Sequence, residues 1–183
     1  MEKIVKRIFS LLVFALSLAS AQAQQGEGAK TSLQKEASAE VLRKIELSEF
    51  SNEIGLEMGL AIVKLANHRN QKVAVKVERL NHTIFLYVND GLPVDKHNWL
   101  RRKANISKHF EESSLSIKHD LINGNMTLDK TFALDNDNYL AKGGAIPIFV
   151  KGAGMIAVIT VSGLHDAEDH KIIIDALKGT FIK

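Results

Sequence analysis

The chain has 183 residues, of which 45% are hydrophobic, 25% charged and 6% aromatic. This composition is too apolar for a disordered chain, and the length fits one globular domain with its own core. The sequence contains no cysteine, which excludes disulfides, thiolate catalysis, cysteine-ligated zinc and iron–sulfur clusters.

The N-terminus has the pattern of a secretory signal peptide. Three basic residues precede a twelve-residue apolar run over residues 8–19, and the small residues Ala21 and Ala23 follow it. The run is shorter than the about 20 apolar residues of a membrane-spanning helix. We therefore predict a signal peptide over residues 1–23, cleavage after Ala23, and a periplasmic or secreted protein. An N-terminal membrane anchor is the alternative.

Cleavage of this segment lowers the net charge of the chain. The formal charge is +3, and residues 1–23 contain three Lys or Arg and one Glu, so the remainder carries +1. A nearly neutral chain gives no reason to propose nucleic acid as a partner. No membrane association is expected after cleavage.

The segment that follows predicts a flexible leader and then a single domain. Residues 24–31 have no apolar anchors, whereas residues 32–183 contain no repeat and no interdomain linker. Ser32 is a suitable N-cap for a first helix, which we predict over residues 32–43.

An amphipathic helix is predicted over residues 52–69, because its apolar residues recur at helical spacing. Ser51 can cap its start. Gly55 and Gly59 lie four residues apart in this helix. Because glycine lowers helix stability, the pair predicts a close approach to a sheet or to a neighbouring subunit.

Two β-hairpins are predicted. Alternating valines indicate a strand at residues 73–78, and a second apolar strand follows at residues 83–88. Residues 146–150 and 155–161 form the second hairpin. Hairpins produce an antiparallel sheet with helices packed on it, so we predict an α+β domain within the broad α/β class.

The turn of the second hairpin resembles a nucleotide-binding loop only superficially. Gly152, Gly154 and Ala157 match the spacing G-x-G-x-x-A, but that motif requires a helix after the glycines. A strand is predicted there instead. We therefore expect no nucleotide cofactor.

Three further helices complete the predicted elements. Asp95 can cap a helix that ends near Phe110, and a short helix is expected over residues 114–121. Asp166 can cap an amphipathic closing helix whose apolar face extends to Phe181.

The first candidate binding residues lie on the helix that Asp95 begins. Lys103 falls inside the apolar stripe that contains Trp99, so its ammonium must reach water or meet an anionic partner. Arg102 lies three residues from Trp99 and can stack on the indole. These residues indicate a subsite for a carboxylate or propionate. The alternative is an ordinary amphipathic helix.

The second candidate site is a pair of histidines with carboxylates between them. His165 and His170 can supply nitrogen ligands to a metal ion, and His170 can ligate haem iron. The alternative is that His170 packs in the core on the apolar face of the closing helix. No nucleophile–base pair identifies an enzymatic reaction, and a hydrolase or isomerase that uses Lys103 is a weaker alternative.

Two blocks of residues together resemble a known family. The first block contains Gly91, Asp95, Asn98, Trp99, Arg101, Arg102, Lys103, Phe110, Ser113 and Ser114, and the second contains residues 143–148, 152–154, 161–164, Asp169 and His170. Their order and spacing are similar to the haem-degrading-domain family, also called GlcG/HbpS-like, and in particular to its branch known as uncharacterised protein family 0303. The resemblance extends from about Leu42 to the C-terminus.

This resemblance implies a profilin-like antiparallel sheet of about five strands flanked by helices, assembled as a homo-oligomer. It also implies an exported haem-binding domain in which His170, Trp99, Arg102 and Lys103 contact haem. Haem degradation is implied only by the family label. A non-catalytic oligomeric module without a cofactor is the alternative, with the helix that contains Gly55 and Gly59 at a subunit interface.

Overall fold

The computed structural model describes residues 41–182. The predicted signal peptide and the predicted leader over residues 24–31 lie outside these residues, as does most of the helix predicted over residues 32–43. Residues 41–43 are described and are not helical. The predicted end of that helix is therefore wrong, because the chain there leads into a strand.

The core of the domain is a sheet of five strands: β1 (Ile45–Leu47), β2 (Ala74–Arg79), β3 (His82–Val88), β4 (Ala145–Val150) and β5 (Gly154–Ser162). Their order in the sheet is β1-β4-β5-β2-β3. The two predicted hairpins are present, and all ladders among β2, β3, β4 and β5 are antiparallel. The short strand β1 was not predicted and adds one parallel ladder at the edge beside β4.

Helices cover both faces of this sheet, as the fold-class prediction requires. The described helices are α1 (Asn52–His68), α2 (Lys96–Phe110), α3 (Ser114–Asn123), α4 (Leu128–Phe132) and α5 (Asp166–Leu177). Ile159 of β5 packs in the core that contains residues of α1 and α5, whereas Val158 packs beside Ala104 of α2. Because neighbouring strand residues point to opposite faces, α1 and α5 lie on one face and α2 on the other.

The glycines of α1 serve packing inside the chain. A Cβ atom on Gly59 would lie within 3 Å of the Phe85 ring of β3, and one on Gly55 would lie 3.1 Å from Ile84. Of the two roles predicted for these glycines, the structure shows the close approach to the sheet. No subunit interface is needed to explain them.

Several predicted element ends differ from the structure. His165 occupies the N-cap position of α5, and Asp166 is its first residue. The closing helix ends at Leu177, so Phe181 lies beyond it, where the Gly179 amide donates to the carbonyl of Ile182 at 2.7 Å. The short elements β1 and α4 were missed because three and five residues are too few to show a periodic pattern.

Candidate functional site

A buried ion pair joins α2 to the start of α5. The Lys103 ammonium donates to Asp169 Oδ2 at 2.7 Å and to the carbonyl oxygen of Val161 at 3.2 Å. The second carboxylate oxygen of Asp169 accepts from the amide of Leu164 at 2.9 Å. Each of the two charged side chains is only 2% exposed. Lys103 therefore meets an anionic partner within the chain, which was one of its two predicted outcomes.

Burial dominates the ionisation of this pair. Removal from water lowers the pKa of Lys103 below its usual 10.5, and the attraction of Asp169 opposes this effect. Burial likewise raises the pKa of Asp169 above 3.8, against the attraction of Lys103. Both shifts follow from the cost of placing a charge in a medium of low dielectric constant.

The glycine pair before β4 makes room for these charges. Gly144 has a φ of +113°, and a Cβ atom there would lie 2.8 Å from the Cβ atom of Asp169 and 3.1 Å from the Lys103 ammonium. Only glycine allows the backbone to pass so close to the ion pair. The sequence analysis placed Gly143 and Gly144 in the second block of the family resemblance but did not connect them with Lys103.

Trp99 lies one turn before Lys103 on α2 and is partly exposed. Its indole Nε1 donates to the Asp95 carboxylate at 2.8 Å, so Asp95 holds the ring instead of bonding to the free amides of the helix start. The ammonium groups of Lys96 and Lys142 lie 5.2 and 5.6 Å from the ring centroid. Both distances are within the range of cation–π attraction.

The Arg102 guanidinium does not take the predicted position on the indole. Its Nη2 donates to the carbonyl of Asn136, and its backbone carbonyl accepts from the amide of Leu140 at 3.2 Å. Arg101 donates to Asn138 Oδ1 at 2.8 Å and to the carbonyl of Asp137 at 2.8 Å. The two arginines thus hold the loop between α4 and β4 against α2.

His170 is a buried neutral imidazole. The residue is 4% exposed, and neither ring nitrogen has a hydrogen-bond partner in the described part of the chain. Burial, and secondarily the proximity of His119 on α3, lowers the pKa of His170 to about 4. The ring is therefore uncharged at neutral pH. Within the described residues, neither its N–H donor nor its acceptor nitrogen makes a hydrogen bond.

His165 has a different environment from His170. Its side chain is 71% exposed, and its Nδ1 lies 3.2 Å from Asp166 Oδ1. Within residues 41–182, no three His, Asp or Glu side chains are grouped so that they could hold a metal ion. The metal role of the two histidines stays a prediction.

The structure places the four predicted haem contacts in one region, and none of them lines the cavities along β1, at the turn between β4 and β5, or between α2 and α3. Trp99, Arg102 and Lys103 all lie on α2. The salt bridge of Lys103 connects α2 to Asp169, the residue that precedes His170 on α5. Lys103 and His170 are buried, however, and Arg102 is occupied with the loop. A cavity of about 810 Å³ lies elsewhere, along β1.

Sequence reasoning missed three residues of this region: Lys96, Lys142 and, as the partner of Lys103, Asp169. The lysine inside an apolar stripe was consistent with an acidic partner, but it was equally consistent with an ammonium group that reaches water. In addition, none of the helices over residues 41–182 is both long enough and apolar enough to span a bilayer.

Comparison with known proteins places the chain in a family. The model of the family described as "Haem degrading protein HbpS-like" matches residues 50–178. A UPF0303 protein of Zymomonas mobilis is 35% identical over 133 residues, which is 73% of this chain and 72% of that protein.

Solved structures share the fold. The crystal structure of the Ybr137w protein matches with a TM-score of 0.67 and 25% identity, over 80% of this chain and 83% of that one. A structure described as a PduOC:haem complex matches with a TM-score of 0.58 and 14% identity, over 74% of this chain and 98% of that one. At this low identity the second match concerns the fold alone.

Proposed function

This chain belongs to the HbpS-like family of haem-degrading proteins, and we propose that it is an exported haem-binding protein with His170 as the iron ligand. The family description and the haem complex of a protein with the same fold support a haem-related role. The observation that carries the assignment to a residue is the unused imidazole of His170.

The chemistry of His170 suits an axial ligand. Haem iron accepts a lone pair from a neutral imidazole nitrogen, and a pKa of about 4 keeps this ring neutral across the physiological range. Neither nitrogen must give up a hydrogen bond within the described residues to bind iron. Because a buried polar group without a partner costs free energy, ligation would relieve a cost already present in the fold.

Haem iron can bind His170 only if it can reach the buried ring. His170 is 4% exposed, and α3 packs against α5 beside it. Iron therefore reaches the ring only after a local rearrangement of the elements packed on α5. We propose that α3, whose His119 lies near His170, is the element that moves.

Hemin titration of the purified protein tests this function. We expect a saturable shift of the Soret band, the loss of the axial-ligand signature in His170→Ala, and its recovery when free imidazole is added. His165→Ala is the matched control, because this exposed histidine lies at the start of the same helix, and it is expected to bind as the wild type does. Absence of a saturable shift at micromolar hemin, or an unchanged spectrum of His170→Ala, would overturn the assignment.

A second candidate function is that of an oligomeric binding module without a cofactor. The edge strand β3 favours it, because Leu86 and Val88 are 52% and 42% exposed there. An exposed apolar edge strand is a surface on which another strand can pair. Light scattering and an absorption spectrum of natively purified protein separate the two functions: this module predicts a multimer with no chromophore.

A further inference from the structure

We propose that Trp99, Lys96 and Lys142 form the subsite that binds the carboxylates of a planar aromatic ligand. In the proposed function, on which this inference rests, those carboxylates are the propionates of haem. In this subsite Lys96, the first residue of α2, and Lys142, in the loop before β4, take the place of the predicted contacts Lys103 and Arg102.

The first support is an excess of positive charge around one indole ring. Among residues 41–182, neither Lys96 nor Lys142 has a carboxylate within 4.0 Å, although each ammonium lies within 6 Å of the Trp99 ring centroid. Arg101 and Arg102, which follow on the same helix, bond only to amide and carbonyl oxygens. The Asp95 carboxylate on the indole N–H is the acid at this ring, and four cations surround it, so the region keeps an excess of positive charge that attracts an anion.

The second support is the elimination of the other cations as contacts. Lys103 is 2% exposed and already neutralised by Asp169. Arg102 donates to the carbonyl of Asn136, and within residues 41–182 its buried Nε has no acceptor, so the guanidinium faces the loop and not the indole. Lys96 is partly exposed and Lys142 is exposed, so both ammonium groups can reach a ligand.

The indole determines the shape of the ligand. Its N–H group is satisfied by Asp95, which fixes the ring. The Lys96 and Lys142 ammonium groups lie over the ring, so a flat ligand contacts the ring surface when these two side chains turn from it to the ligand's carboxylates. Ammonium groups form charge-assisted hydrogen bonds to carboxylates, and these are stronger than neutral ones. A flat ring with cations beside it therefore suits a planar body that carries carboxylates at its edge better than a compact anion such as phosphate, which makes no use of the ring.

Two metal-free porphyrins provide the test, because protoporphyrin IX and its dimethyl ester share the same ring and differ only at the two propionates, which are charged in the acid and are neutral methyl esters in the other. We expect the double variant Lys96→Gln/Lys142→Gln to bind protoporphyrin IX about tenfold or more weakly than the wild type. Its affinity for the dimethyl ester should be unchanged. The matched control is Lys151→Gln/Lys178→Gln, which removes two exposed lysines distant in sequence and should alter neither affinity.

Trp99→Leu has a different expected signature. Loss of the indole ring should weaken the binding of both porphyrins, because stacking does not depend on the charge of the propionates. The subsite is overturned if the lysine double variant binds protoporphyrin IX as tightly as the wild type does. It is also overturned if the double variant loses the same affinity for the acid and for the ester, or if the wild-type protein binds neither porphyrin. Failure of the haem function is recognised separately: if protoporphyrin IX binds with this lysine dependence while the hemin spectrum is insensitive to His170→Ala, iron ligation fails and the subsite stands.

Discussion

Removal of the Lys103 ammonium should destabilise the fold more than any change at an exposed ion pair. In Lys103→Met the Asp169 carboxylate remains buried, with the Leu164 amide still donating to it but without its counter-ion. Breaking a buried pair by removing one partner costs about 3–5 kcal/mol, and both side chains here are 2% exposed. We therefore expect the free energy of unfolding to fall by about that amount.

Urea denaturation followed by circular dichroism measures this loss. In the double variant Lys103→Met/Asp169→Asn the uncompensated charge is absent, while an amide oxygen can still accept from Leu164, so at least half of the loss should be recovered. The pair of Lys171 and Asp175 serves as the exposed control, because the Lys171 side chain is 69% exposed and Lys171→Ala should cost less than about 1 kcal/mol. A loss below about 1 kcal/mol in Lys103→Met would refute the view that this pair is desolvated and structurally required.

Three further outcomes are expected. Folding lowers the pKa of His170 from 6.5 to about 4, so between these two pH values the imidazole is protonated in the unfolded chain but not in the folded one. The free energy of unfolding should therefore fall by up to about 3 kcal/mol as the pH decreases from 6.5 to about 4. Urea denaturation across this range should show the dependence in the wild type and in His165→Gln but not in His170→Gln; a dependence that persists in His170→Gln contradicts the assignment. Gly59→Ala should lower the free energy of unfolding by about 1–3 kcal/mol, because the new methyl group forces the Phe85 ring aside. In thermal denaturation the control variant Gly55→Ala should stay within about 1 kcal/mol of the wild type. Equal stability of the two variants would show that the Phe85 ring moves freely. Mass spectrometry of protein from the periplasmic or culture fraction should find a chain that starts after Ala23, and an intact N-terminus there would contradict the predicted export signal.

Local patterns predicted most of the regular elements correctly. The alternating valines of β2 and the helical spacing of α1 are properties of neighbouring residues, and both elements were found close to their predicted ends. The start of α5 differed by one residue because Asp166, which resembles a cap, pairs with Lys118 of α3 at 3.0 Å. Such a partner is not visible in a local pattern.

The candidate site was predicted less completely. The apolar neighbours of Lys103 predicted that its ammonium reaches water or meets an anionic partner, but they did not identify that partner. Asp169 lies 66 residues away, and two other acids, Asp166 and Glu168, lie within three residues of it. Likewise, Arg102 was the natural candidate to stack on Trp99, and the neighbour in space proved to be Lys142, which comes from a loop 43 residues further on. Helical spacing identifies which side chains share a face, but it does not reveal which loop is packed on that face.

The amino-acid sequence by itself determined most of the periodic elements, the two hairpins and the close approach of the helix glycines to the sheet, because each depends on the conformational preferences of residues within one or two turns. Only the tertiary structure decided that Asp169 neutralises Lys103, that His170 is shielded and neutral, and that Lys96 and Lys142 flank Trp99. The physical reason is that charge and solvation act through space: the pKa of His170 and the availability of each cation depend on side chains that the sheet brings together from distant parts of the chain.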